Sequence, residues 1–185
     1  MPRHRSSQPD LRIQTCSFVG CVLIFVGLCL LATAWATPSS QTKNALRVYF
    51  VDVEGGQATL FVTPGKQSLL IDTGWPGNDG RDADRIVAAA KNAGLNKIDY
   101  VLITHFHTDH VGGAPQLAAR IPVGTFIDHG DNRESTDAPT VQGWKAYQEL
   151  LATGKYKRMT SKPGDVLPVK GMRVTVISSD GGVDS

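Results

Sequence analysis

The run His105-Phe106-His107-Thr108-Asp109-His110 puts four metal-ligand side chains into six residues, directly behind the apolar stretch Ile98 to Thr104 and directly ahead of Val111-Gly112-Gly113. A helix would spread positions 105, 107 and 110 over different faces, whereas a loop leaving a buried strand can curl until all four heads face one side. The chain is therefore expected to build a sheet in which the strand Ile98 to Thr104 ends at the site. Imidazole suits zinc, and imidazole with carboxylate suits zinc, with iron or manganese as alternatives. Four ligands on so short a loop crowd a single tetrahedral ion. His105 and His107 are accordingly assigned to one ion and Asp109 and His110 to a neighbour, a two-metal hydrolytic site.

The surrounding pattern reads as strands first and helices later. Leu46 to Val53, Ala58 to Val62 and Ser68 to Ile71 are strand-like runs separated by Glu54-Gly55-Gly56 and Thr63-Pro64-Gly65-Lys66, the spacing of an antiparallel meander. Asp82 to Ala93 carries apolar residues at helical spacing and stops at Gly94. Beyond the histidines come a short helix (Ala114 to Arg120), a strand (Thr125 to Asp128), a helix from about Val141 to Ala152, and strands over 166–169 and 172–178. This order predicts an α/β domain of mixed sheets with helices packed outside.

Composition locates the charge and the thiols. All three cysteines, Cys16, Cys21 and Cys29, lie within residues 1–36, together with Arg3, Arg5, Arg12 and Asp10. Of the 19 basic and 17 acidic residues, sixteen of each sign remain after Ala36, with no cysteine. That balance excludes a disulfide scaffold and a cysteine nucleophile in the body, and gives no electrostatic support to nucleic acid as a partner. The uncharged, almost wholly apolar run Phe18 to Ala36 belongs in a membrane. It reads as a signal peptide cleaved after Ala34-Trp35-Ala36, or alternatively as a membrane anchor over 18–36; under either reading the body is exported, periplasmic or secreted. Residues 37–44 form a linker and 45–185 the domain.

His105 to His110 resembles the HxHxDH signature of the metallo-β-lactamase superfamily. Leu70-Ile71-Asp72-Thr73-Gly74 looks like that superfamily's LIDTG strand end, and Val101 to Thr104 like the strand before its histidines. Val51 to Ala58 is similar to the opening of ComEC-type competence-protein hydrolase domains, although Glu54-Gly55 and Gln57 depart from that pattern. The resemblance implies an αββα sandwich, with two mixed sheets between helices and the metals at one edge. It implies one or two zinc ions on His105, His107, Asp109 and His110, Asp109 also orienting the nucleophile, and Asp72 beneath the loop as a hydrogen-bonding support. It further implies a metal-dependent hydrolase acting on a small ester, lactone, lactam or phosphodiester. A non-catalytic or di-iron redox member of the fold is the alternative, which histidine at all three motif positions disfavours.

Other residues carry plainer expectations. His129, beside Asp128 and Gly130, is expected to be structural, Asp52 and Glu54 to be rim residues, and Trp75 to anchor its Pro-Gly loop rather than line a substrate wall. Trp144, Tyr147, Leu150 and Leu151 have the spacing of a packed helix face. The superfamily draws further ligands from its second half, yet no histidine follows His129, and 149 residues after Ala36 are few for two sheets with helices on both faces. The domain is therefore expected to be truncated at its C-terminus.

Overall fold

A computed structural model describes residues 44–183. The leader (1–36, with its alternative anchor 18–36) and the linker up to residue 43 lie outside the described residues. Among those described, no helix is long and apolar enough to cross a membrane.

One six-stranded sheet organises the domain. Strands β1 (Arg47–Phe50), β2 (Thr59–Val62) and β3 (Ser68–Ile71) form the expected antiparallel meander. The β2–β3 turn closes through Lys66 N–H donating to the Thr63 carbonyl at 2.8 Å. From β3 onward the sheet is parallel: β4 (Ile98–Leu102), β5 (Val123–Asp128) and β6 (Lys157–Thr160) follow in spatial as in sequence order. Parallel neighbours need crossovers, and helices supply them. These are α1 (Arg81–Asn92) after β3, the short α2 (Thr108–Val111) and α3 (Ala114–Ala118) after β4, and α4 (Ala138–Ala152) after β5.

Helical periodicity explains the packing. Ala83, Ile86, Val87 and Ala90 give α1 one buried stripe. The helix stops at Gly94, whose φ of +76° suits the left-handed turn in which Leu95 N–H reaches the Ala90 carbonyl. Asp137 starts α4 by accepting from Thr140 N–H at 2.9 Å. These helices cover one sheet face, burying Leu60, Ile86, Ile98 and Phe126 completely; each such side chain contributes about 1.5–3 kcal/mol. A smaller cluster on Leu69, Ile127, Leu167 and Val169 gathers Phe61, Tyr100, Met172 and Val174.

Three expectations need correction. The histidine run is not wholly a loop, because its second half winds into α2. Strand β6 was invisible in the pattern: Lys157 and Arg158 hide a strand that exists because it pairs with β5 at the end of the sheet's strand order. The strands read over 166–169 and 172–178 shrink to a single bridge, Val166 to Thr175, with flanking backbone bonds, and pairing resumes in the two-residue strands β7 (Ser178–Ser179) and β8 (Gly182–Val183). Gly171 and the lone apolar layer beneath leave that segment a loose hairpin rather than a ladder.

Candidate metal centre

Because β3, β4 and β5 run parallel, their C-terminal ends lie along one edge of the sheet, where α/β folds place their sites. Asp72 follows β3, the run from Ile103 to His110 follows β4, and His129 follows β5. Three short segments are knitted together at this edge. Thr73 donates to the His110 carbonyl through both its N–H (2.7 Å) and its hydroxyl (2.8 Å). Gln57 N–H donates to the Asp109 carbonyl (3.1 Å), Gly74 N–H to the Gln57 carbonyl (3.0 Å), and Gly113 N–H to the Gly74 carbonyl (3.0 Å). The glycines are required by proximity. A Cβ at Gly113 would stand 2.1 Å from the Thr73 carbonyl oxygen, and one at Gly56 would stand 2.6 Å from that of Asp109.

Asp72 is the pivot. It is wholly buried and holds a left-handed φ of +58°, a conformation costing about 1–2 kcal/mol for a residue with a Cβ. In return its carboxylate turns under the histidine run. One oxygen accepts Thr104 N–H at 2.8 Å; the other accepts the Thr104 hydroxyl at 2.7 Å and His110 Nδ1 at 2.8 Å. A carboxylate can only accept, so His110 donates through Nδ1 and Nε2 is the nitrogen left free of Asp72. The Thr104 hydroxyl spends its own proton on Asp72 and therefore accepts from His105 Nδ1 at 3.1 Å. This engages His105 through the same nitrogen, so one buried aspartate and one threonine commit Nδ1 of two histidines.

The imidazoles crowd one another, with ring centroids 4.6 Å apart for His105 and His107 and 4.0 Å for His105 and His110. Burial, followed by the neighbouring His110 and His107, pushes the His105 pKa down and favours its neutral form. The bond to Asp72 raises that of His110. Asp109 Oδ2 lies 3.6 Å from His110 Nε2. Among the described residues no three His, Cys, Asp or Glu heads form a closed cage. The donor set nevertheless fits a zinc-type ion in its chemistry: three imidazoles, one carboxylate and no thiolate.

The remaining candidates divide. The His129 ring lies tilted against Phe106 at 4.7 Å between centroids, and Phe106 in turn lies 4.2 Å from Trp144, but the buried His129 Nδ1 has no hydrogen-bond partner among the described residues, so it is not the satisfied structural group expected. Its ring also borders a cavity of about 720 Å3 shared with Thr104, His105, Arg133 and Asp180. Trp75 anchors its loop through its N–H to buried Asp82 (2.9 Å) and its ring beside Gly56. It also lines a cavity of about 410 Å3 with His107, Asp109 and Asp137, so the structure gives it both roles. Asp52 and Glu54 are rim residues paired with Arg85, and Glu54 also with Arg81. The sequence reading missed Thr104, Arg133 and Asp82. A hydroxyl immediately before the first histidine was the one available signal for Thr104.

The Metallo-beta-lactamase superfamily model matches residues 51–182. A UPF0173 metal-dependent hydrolase of Cupriavidus metallidurans is 38% identical over 147 residues, covering 78% of this chain and 44% of that protein. The hydroxyacylglutathione hydrolase of Stenotrophomonas maltophilia is 36% identical over 86 residues, 46% of this chain and 32% of that protein. Among solved structures, the metallo-beta-lactamase SMB-1 bound to 2-mercaptoethanesulfonate superposes with a TM-score of 0.49 at 18% identity, covering 74% of this chain and 53% of that one. The chain thus spans less than half the length of these curated relatives. With the family match running from Val51, where the meander's first strand has just ended, to Gly182 in β8, this chain belongs to the metallo-beta-lactamase superfamily.

Proposed function

We propose that the chain carries the first metal-binding half of a metal-dependent hydrolase acting on a carbonyl or phosphoester substrate. The observation that carries this reading is the Asp72–Thr104 relay, which commits Nδ1 of His105 and His110 and leaves both Nε2 atoms as ligands. His105 and His107 would hold one ion and Asp109 and His110 a second. When bound, zinc supplies a water ionised near neutral pH and a Lewis acid for the electrophilic oxygen. The residues of this chain do the rest. Asp72 holds the proton on His110 Nδ1, Phe106 anchors the run in the core against Trp144 and Tyr147, and the Asp109 carboxylate would orient the nucleophile.

The names of the metal-dependent hydrolases and of the hydroxyacylglutathione hydrolase support hydrolysis, a coenzyme F420H(2) oxidase among the relatives supports the redox alternative, and the imidazole-rich donors support zinc. The similarity of Val51 to Ala58 to ComEC-type domains supports a phosphodiester among the substrates, whereas the hydroxyacylglutathione hydrolase likeness supports a thioester. Export rests on the apolar run Phe18 to Ala36 and the Ala34-Trp35-Ala36 pattern, and cell fractionation tests it. The decisive experiment measures bound zinc and hydrolysis of a nitrophenyl phosphodiester, a lactone and a cephalosporin, in wild type and His107→Ala. Loss of both zinc and turnover is expected. Full zinc stoichiometry in His107→Ala refutes the ligand assignment, and iron without turnover in the wild type favours the di-iron reading.

A further inference from the structure

Two cavities flank the histidine row, and their charges differ. The one on the His107 side carries the carboxylates of Asp109 and Asp137 beside the Trp75 ring. The one on the His105 side is lined by a guanidinium, Arg133, the cation among its described lining residues. Arg133 lies in the loop between β5 and α4 and reaches across to Asp180 in the β7–β8 turn. Nε and Nη2 grip the two carboxylate oxygens in a fork, the geometry in which guanidinium selects a planar carboxylate or a phosphate. Asp180 holds a left-handed φ of +50° in that turn. The Arg133 side chain is three-quarters exposed and the clamp spans two surface loops, so its role in holding the fold is small.

Resting on the hydrolase reading above, we propose that Arg133 is the anion-recognition residue of this site: the substrate bears a carboxylate or phosphate that replaces Asp180 on the guanidinium, with its scissile bond toward the histidines. The asymmetry of the cavities sets the orientation. An anionic group is repelled by Asp109 and Asp137 on one side and received by Arg133 on the other, while an apolar end finds Trp75. Asp180 is the resting counter-ion. It keeps the guanidinium fork aimed over the cavity at little entropic cost and is exchanged, not lost, when substrate arrives.

The test uses the full zinc-loaded chain with two matched esters, neutral 4-nitrophenyl acetate and anionic 4-nitrophenyl hydrogen succinate. The ratio of kcat/KM for the anionic over the neutral ester is expected to fall about tenfold in Arg133→Gln, which loses a bidentate charge-assisted contact, and to rise about threefold in Asp180→Asn, which frees the fork. A ratio that stays at the wild-type value in both variants overturns the proposal. A second readout needs no turnover: in metal-free protein, succinate is expected to shift the Arg133 Nε–H NMR signal of the wild type. If succinate leaves that signal unmoved, the anion site is refuted even where esters are hydrolysed. If succinate moves it while the wild type takes up no zinc and hydrolyses neither ester, the hydrolase reading fails and the anion site stands.

Discussion

Asp72 and Asp128 occupy equivalent places with opposite consequences. Each is a fully buried carboxylate, the first just past the end of β3 and the second closing β5. Asp128 is saturated by permanent partners. Arg158 grips both of its oxygens at 2.8 Å, Tyr147 donates to one at 2.9 Å and Gly130 N–H to the other at 2.9 Å. The Arg158 guanidinium also sits 5.8 Å from the Trp144 ring centre. Burial, with the carboxylate charge beside it, pushes the Tyr147 phenol far above its ordinary pKa, so it stays a proton donor. Asp72 has no such cation. Its partners are Thr104 and His110, and both hand its influence on to the histidine row. Burial alone therefore does not mark a functional carboxylate; the chemistry of its partners does. A carboxylate closed by arginine is a rivet, whereas one shared among a hydroxyl and an imidazole sets tautomers.

That contrast can be broken from either side. The largest effect is expected for Asp128→Ala, which strands Arg158 and removes the Tyr147 acceptor: about 3–5 kcal/mol of stability lost in urea unfolding, with zinc per folded molecule unchanged. Asp72→Asn should do the reverse. Zinc affinity, measured by competition with a chelator dye, is expected to fall about 10–100-fold with a smaller change in unfolding free energy. If Asp72→Asn costs as much stability as Asp128→Ala and leaves zinc affinity intact, the distinction collapses. Tyr147→Phe deletes one of several bonds to Asp128 and should cost about 1 kcal/mol in the same unfolding assay.

The smallest effect concerns pH at the start of α4. The Thr140 hydroxyl and backbone N–H, in that order, hold the Asp137 carboxylate below its ordinary pKa. A depressed carboxylate contributes stability that is fully present above its unfolded pKa and is lost as pH falls through the folded one. The contribution of Asp137 is thus constant from neutrality down to about pH 4 and disappears below it. Thermal melts of wild type and Asp137→Asn should run parallel above that point and converge below it; a difference that persists undiminished at pH 2 rules this out.

Much of the site was legible because its elements are local. The histidine run, the Leu70 to Gly74 strand end and the glycine pairs are contiguous in sequence, and each has a backbone reason that shows in residue type. Asp72 was legible as a support only through the resemblance of Leu70 to Gly74 to the superfamily's strand end. Long-range partners were not. Arg158 lies 30 residues from Asp128 and Tyr147 lies 19 away, and nothing in the β6 pattern Lys157-Arg158-Met159-Thr160 marks it as a strand until β5 is there to pair with it. The hairpin over 166–176 was read as two strands because its apolar alternation is real. Alternation reports which side chains turn inward, not whether the backbones come close enough to ladder.

By itself the sequence determined the meander, the helix over 81–92, the strand leading into the histidine run and the residue types gathered there, since residue type fixes periodicity, turn propensity and ligand softness. Tertiary structure alone decided which ring nitrogen of His105 and of His110 is engaged, because that depends on Asp72 and Thr104 meeting across two parallel strands. It also decided that Asp128 is riveted while Asp72 is not, and that Arg133 faces the same cavity as His105. Each is a question of distance between segments far apart in the chain, and hydrogen bonds and ion pairs act only over a few ångströms.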